Sequence, residues 1–115
     1  MHTSEQLLEK VKVALAEIKF DSKPEELYNP IKYTLNLGGK RIRPVSVLLA
    51  CEMFNGDIEK AINPAIAIEI FHNFTLLHDD IMDNAPIRRG KETVFKKWNA
   101  NIAILSGDTM FALAY

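Results

Sequence analysis

Apolar residues recur along this chain at intervals of three and four, and that rhythm divides it into helices. Leu7, Leu8, Val11, Ala14, Leu15 and Ile18 follow Ser4 in the i, i+3, i+4, i+7 spacing of one buried face, which predicts a first helix over 4–19 opening at Ser4. A second stretch starts at Pro24, carries Leu27, Ile31, Leu35 and Leu37, and stops at Gly38 and Gly39, with Pro30 expected to kink or split it. A third begins near Pro44 and runs through VSVLLACEMF to Asn55 and Gly56; it is apolar nearly all round and should be buried. After a turn at Asp57, the segment from Ala61 or Pro64 to about Asp83 reads as one long helix with Ile66, Ile70, Phe74, Leu77 and Ile81 as its apolar positions. A loop over Asn84 to Gly90 follows, then a short helix in TVFKKWN and a longer one in ANIAILSGDTMFALAY. No run alternates apolar and polar residues long enough to make a strand. The expected fold is all-α, a helical bundle with the long helix as its axis, in a single partial domain over 1–115.

Composition narrows the class without changing this picture. Apolar residues at 48% and charged residues at 25% belong to globular chains. Fourteen basic against fifteen acidic residues leave a net charge of -1, which argues against nucleic acid as a partner. No stretch approaches the roughly eighteen apolar residues of a transmembrane segment, and MHTSEQLLEK lacks the basic start and apolar run of a secretion signal, so a cytoplasmic protein is expected. Cys51, alone in its type, reads as a core thiol. The apolar pattern is unfinished at Tyr115, which predicts a truncated chain.

Chemistry concentrates in HNFTLLHDDIMDNAPIRRG, residues 72–90. On a helix turning ~100° per residue, Asp79 and Asp83 share a face and Asp80 lies one turn from Asp83. Three crowded carboxylates call for a cation, and Mg²⁺ suits them because it is held by one or two carboxylates plus substrate phosphate oxygens. Arg88 and Arg89, beyond Pro86, offer fork-shaped donors for such a phosphate. Glu69 and His72 extend the polar stripe toward the helix start. An acidic triplet on a solvated face has the same spacing, so DDxxD alone leaves both readings open. The same holds for GGKRIRP at 38–44: two glycines and three cations could pass close to a diphosphate, or could be a helix stop followed by surface charge.

Taken in order, GGKRIRP, His72 ahead of LLHDDIMD, the RRG turn and AILSGD resemble the trans-isoprenyl diphosphate synthases of the polyprenyl synthetase family, from about Glu26 to Tyr115. The resemblance implies the N-terminal part of an isoprenoid-synthase fold, a homodimer, and a Mg²⁺-dependent prenyltransferase that joins an allylic diphosphate to isopentenyl diphosphate. It assigns Asp79 and Asp83, and less directly Asp80, to Mg²⁺; Lys40, Arg43 and His72 to isopentenyl diphosphate; Arg88 to the allylic diphosphate and Arg89 to isopentenyl diphosphate. The reaction ionises an allylic C–O bond, the alkene attacks, and a proton leaves, so the site must absorb leaving-group charge and needs no nucleophilic side chain.

In this family the product runs alongside the helix below the first aspartate. Thr75 and Phe74 stand ~6 to 7.5 Å beneath Asp79 along the axis and Phe71 a further turn down, a pattern that resembles enzymes making C15 to C20 products. The family's second aspartate-rich motif is not in these residues, so the chain by itself is expected to be inactive. Phe95 and Trp98-Asn99 also depart from the family pattern, at positions with no catalytic assignment. Three other readings compete. Class I terpene cyclases share DDxxD but lack the GGKRIRP and RRG passages. Phosphohydrolases with an HD pair such as His78-Asp79 need more histidine ligands than His2 and His72 supply, and His78 is expected to pack or hydrogen-bond behind the helix. A non-catalytic synthase-like subunit or scaffold keeps the fold without the reaction.

Overall fold

The structure, a computed structural model, describes residues 2–19 and 24–115. Among these residues the chain forms α1 (Ser4–Glu17), α2 (Glu25–Asn36), α3 (Ile42–Met53), α4 (Ile58–Met82), α5 (Val94–Lys97) and α6 (Ala100–Ala114). Between α4 and α5 lies one short antiparallel hairpin, β1 (Ile87–Arg88) with β2 (Lys91–Glu92). The all-α expectation holds, and the hairpin replaces what the sequence reads as plain loop. The chain divides into two compact units, 2–19 with 40–69 and 24–39 with 70–115, and α4 lends part of its length to each.

In the first unit α1 packs against α3. Helix α1 starts at Ser4 as expected, and Thr3 caps it: the Gln6 N–H donates to Thr3 Oγ1 at 3.1 Å and the Thr3 N–H donates to Gln6 Oε1 at 2.8 Å. Such a reciprocal box needs Glu or Gln three residues on, where Ser4 would find Leu7. Leu7 and Val11 are buried on α1 and Leu48 with Pro44 on α3. Pro44 falls at the third helical position, where a missing N–H leaves no intrahelical bond unmade. The expectation that α3 is buried holds at Pro44 and Leu48 and is corrected at its ends, where Ile42, Met53 and Phe54 are 61%, 70% and 85% exposed. An apolar sequence states what a helix can bury, not how many neighbours it has. Asn55, at φ 58, ends α3 in a Schellman arrangement in which the Gly56 N–H reaches the Cys51 carbonyl at 2.8 Å.

Helix α4 starts at Ile58, earlier than its apolar rhythm suggests, because Asp57 Oδ1 accepts the Glu59 N–H at 3.1 Å and caps the first turn. Pro64 sits within it, just as Pro30 sits within α2. Neither proline breaks its helix. An interior proline disfavours a helix by about 3 kcal/mol, and complete burial of the Pro30 ring offsets part of that. In the second unit α2 packs on α6 and α5 on α6. Helix α6 is capped by Asn99, whose Oδ1 accepts the Ile102 N–H at 2.8 Å, and buries Ala103, Ser106, Gly107 and Met110 on one face. Ser106 Oγ donates to the Leu27 carbonyl at 2.8 Å and ties α6 to α2. Tyr33 joins α2 to β2 through its hydroxyl, which donates to the Glu92 carbonyl at 2.7 Å. No helix among the described residues is long and apolar enough to cross a membrane.

Candidate active site

Helix α4 ends in a Schellman turn: Asn84 takes φ 51, the Asn84 N–H reaches the Ile81 carbonyl at 3.3 Å and the Ala85 N–H reaches Asp80 O at 3.0 Å. The last stretch of α4 thus carries Asp79 and Asp80, with Asp83 at its exit, and has no basic residue in its last turn. Carboxylates at this end oppose the helix dipole, by about 0.3 to 1 kcal/mol for each exposed charge. Acid placed where the helix disfavours it points to a cationic partner.

The three aspartates do not share one role. Asp79 and Asp83 are exposed, whereas Asp80 is 3% exposed. Arg88 donates to Asp80 in a fork, from Nε to both carboxylate oxygens at 2.9 Å and from Nη2 to Oδ1 at 2.7 Å. The hydrogen bonds that Arg88 donates to Asp80 push the Arg88 pKa upward, burial opposes them, and the fields of Asp80, Asp79 and Asp83 add to the rise. The Arg88 charge is thereby held next to the two exposed carboxylates. Asp80, expected as a less direct metal partner, is committed to Arg88 in this arrangement, and Arg88 keeps its Nη1 edge for a further acceptor.

The hairpin aims the arginines. Arg89 and Gly90 take φ 54 and 77, the paired positive values that a two-residue mirror-image turn requires. Its base is stapled by Thr93, which is buried and bonds through N–H to the Pro86 carbonyl at 3.0 Å and through Oγ1 to the Ala85 carbonyl at 2.8 Å. Arg89 reaches back to donate from Nη1 to the Gly38 carbonyl, and its guanidinium lies over Gly39, where a Cβ would meet Cζ and Nη2 at 3.1 Å. The RRG turn and the start of GGKRIRP are therefore in contact, which neither motif states alone.

Within the first unit, Lys40 and Arg43 are exposed and flank Arg41, which turns inward. Arg41 adopts φ 55, and its Nη1 lies 2.6 Å from Glu69 Oε1, the two side chains being 7% and 3% exposed. Of the three cations in GGKRIRP one is thus structural, and Glu69 is withdrawn from the polar stripe that the sequence suggested. A carboxylate inside the apolar run AIAIEIF is the signal that could have announced a buried partner. His72 is half-buried, and its carbonyl accepts the Thr75 hydroxyl at 2.6 Å.

Below the aspartates, Phe71 and Phe74 meet edge to face at 5.4 Å between ring centroids, and Phe111 of α6 closes the cluster at 5.9 Å from Phe71 and 5.2 Å from Phe74. Phe111 was not legible as part of this cluster, because its partners lie on another helix. His78 packs as expected: Nε2 lies 3.3 Å from the Ile104 carbonyl, and the ring stands edge-on to Phe74 at 4.8 Å. Among the described residues no three acidic, histidine or cysteine side chains form a metal cage. Two exposed carboxylates a helical turn apart, backed by a bound arginine, are hard oxygen donors of the kind Mg²⁺ uses when waters and phosphate complete its shell.

Fold and site together describe an all-helical protein whose acid-rich helix end is faced by an arginine hairpin. The Polyprenyl synthetase family pattern matches residues 24–115, and the chain belongs to that family. It is 44% identical over 105 residues to the geranylgeranyl diphosphate synthase of Methanosarcina mazei, an overlap of 91% of this chain and 32% of that one. To the dimethylallyltranstransferase of Fischerella ambigua it is 43% identical over 109 residues, covering 93% and 32% of the two chains. A crystal structure of a geranylgeranyl pyrophosphate synthase matches with a TM-score of 0.89 at 50% identity, over 100% of this chain and 35% of that one. The chain spans about a third of the length of these relatives.

Proposed function

We propose that the protein carrying this sequence is a Mg²⁺-dependent prenyltransferase, joining isopentenyl diphosphate to an allylic diphosphate to give a C15 to C20 product. The observation that carries the proposal is the division of labour among the aspartates: Asp79 and Asp83 stay open while Asp80 fixes Arg88 beside them. Asp79 and Asp83 would hold Mg²⁺, which when bound takes up negative charge on the departing diphosphate. Arg88 adds a preorganised cation through its Nη1 edge, and Asp80 spares it the entropy of ordering when substrate arrives. Lys40 and Arg43, with His72 and Arg89, are the groups proposed for isopentenyl diphosphate. A cytoplasmic homodimer completes the proposal, its support being the family resemblance. The direct test is to supply the full-length protein with both diphosphates and follow product by mass spectrometry; Mg²⁺-dependent C15 to C20 products are expected, and no product at any Mg²⁺ concentration overturns the proposal.

Two sets of variants divide the substrates. Arg88→Ala should chiefly raise the KM of the allylic diphosphate, and Lys40→Ala or Arg43→Ala that of isopentenyl diphosphate. A lost charge-assisted hydrogen bond is worth ~1.5 to 3 kcal/mol, roughly ten- to a hundredfold in affinity. Equal losses for both substrates in every variant would contradict the assignment.

Product length is proposed to depend on Phe74, with Phe71 and Thr75 beside it. Phe74→Ala removes the ring that joins Phe71, Phe111 and His78, opening apolar volume to further isoprene units. Longer products are expected by chromatography of the released chains. Unchanged lengths would move the limit to Phe71 or Phe111.

A further inference from the structure

Gly107 lies inside α6, where glycine is a poor helix former and its presence needs a physical reason. The reason is the side chain of His78. A Cβ on Gly107 would meet His78 Nε2 at 2.5 Å, Cδ2 at 2.7 Å and Cε1 at 3.5 Å, so the imidazole fills the notch that only glycine leaves in α6. The ring is held there from several sides. Nε2 sits 3.3 Å from the Ile104 carbonyl, which can only accept, and 3.7 Å from Asp108 Oδ1, while Phe74 closes the flank edge-on. Ser106, next to Gly107, is itself anchored to α2 through the Leu27 carbonyl at 2.8 Å, so the wall of the notch is fixed independently of α4.

His78 immediately precedes Asp79 on α4. Whatever fixes the rotation of α4 at His78 therefore fixes the direction of Asp79 and of Asp83 one turn on. A rotation of about 10° moves a group ~5 to 6 Å from the helix axis by about 1 Å. Mg²⁺ demands near-ideal octahedral geometry at about 2.0 to 2.1 Å, so a shift of that size disrupts its coordination. We propose that His78, seated in the notch left by Gly107, is a positioning residue that sets the rotation of the α4 terminus and so aligns Asp79 and Asp83 for a Mg²⁺-diphosphate. This rests on the functional reading above. It also gives AILSGD a role: Ser106 anchors α6, Gly107 makes room, and Asp108 flanks the ring.

The test compares full-length wild type, His78→Ala, Gly107→Ala and the double variant. Binding of Mg²⁺ with inorganic diphosphate is measured by titration calorimetry, alongside the Mg²⁺ concentration for half-maximal turnover, the KM of isopentenyl diphosphate and the Tm. Each single variant should weaken Mg²⁺-diphosphate binding and raise the Mg²⁺ requirement by about tenfold, with the isopentenyl diphosphate KM within about twofold of wild type. In the His78→Ala background, Gly107→Ala should add less than about twofold, because the notch no longer has an occupant. His78→Ala adds no atoms, so it serves even if Gly107→Ala fails to fold. Wild-type Mg²⁺-diphosphate binding in His78→Ala, or a lower Tm with an unchanged Mg²⁺ requirement, would overturn the proposal. Failure of the functional reading shows differently, as a wild type that makes no product.

Discussion

Alanine at Asp79 or Asp83 in the full-length protein is expected to lower turnover by about two to three orders of magnitude or more while leaving the fold intact. The size follows from removing a ligand that acts on charge developing in the transition state; loss of one preorganised electrostatic group typically lowers kcat by about 10² to 10³. The intact fold follows from placement. Both side chains are exposed at a helix end whose dipole disfavours them, and an acidic pair at i, i+4 is itself unfavourable by about 0.2 to 0.5 kcal/mol. Removing either should leave the melting temperature unchanged or slightly raised. Asp80→Ala should behave differently, because it frees the Arg88 guanidinium and leaves no partner for its fork. Excess chelator must reproduce the Asp79 and Asp83 losses in wild type, and full turnover in chelator would sink the metal assignment.

The second large effect concerns stability. Arg41→Ala or Glu69→Ala is expected to destabilise the protein by about 3 to 5 kcal/mol, because each breaks a buried ion pair and leaves the other charge in the interior. That is a large share of the roughly 5 to 15 kcal/mol by which a folded domain is stable. The double change Arg41→Met with Glu69→Leu should recover most of the loss, since it removes both buried charges together. Urea denaturation followed by circular dichroism measures all three. Equal losses in single and double variants would show that the pair does not act as a unit.

By itself the sequence determined the helices and most of their buried faces. Leu7 and Val11 are buried where helical spacing puts them, Asn55 and Gly56 end α3, and Asp79 and Asp83 emerge on the same side of one helix. These features depend on residues within about four positions of one another, where backbone geometry fixes who meets whom. The four ordered motifs identified the family for a related reason, since the order of several short signals carries far more information than any one of them.

Tertiary structure decided which charges are buried within the fold and which lie at its surface. Arg41 and Arg43 look alike in GGKRIRP, yet one is buried against Glu69, 28 residues away, and the other is exposed. Asp80 looks like Asp79 until Arg88 folds back on it across the hairpin, and Gly107 looks like a flaw in a helix until His78 occupies its place. A side chain's type states what it can bind. Whether its partner is another part of the chain or a ligand depends on burial and on neighbours distant in sequence, and only the packed fold specifies those.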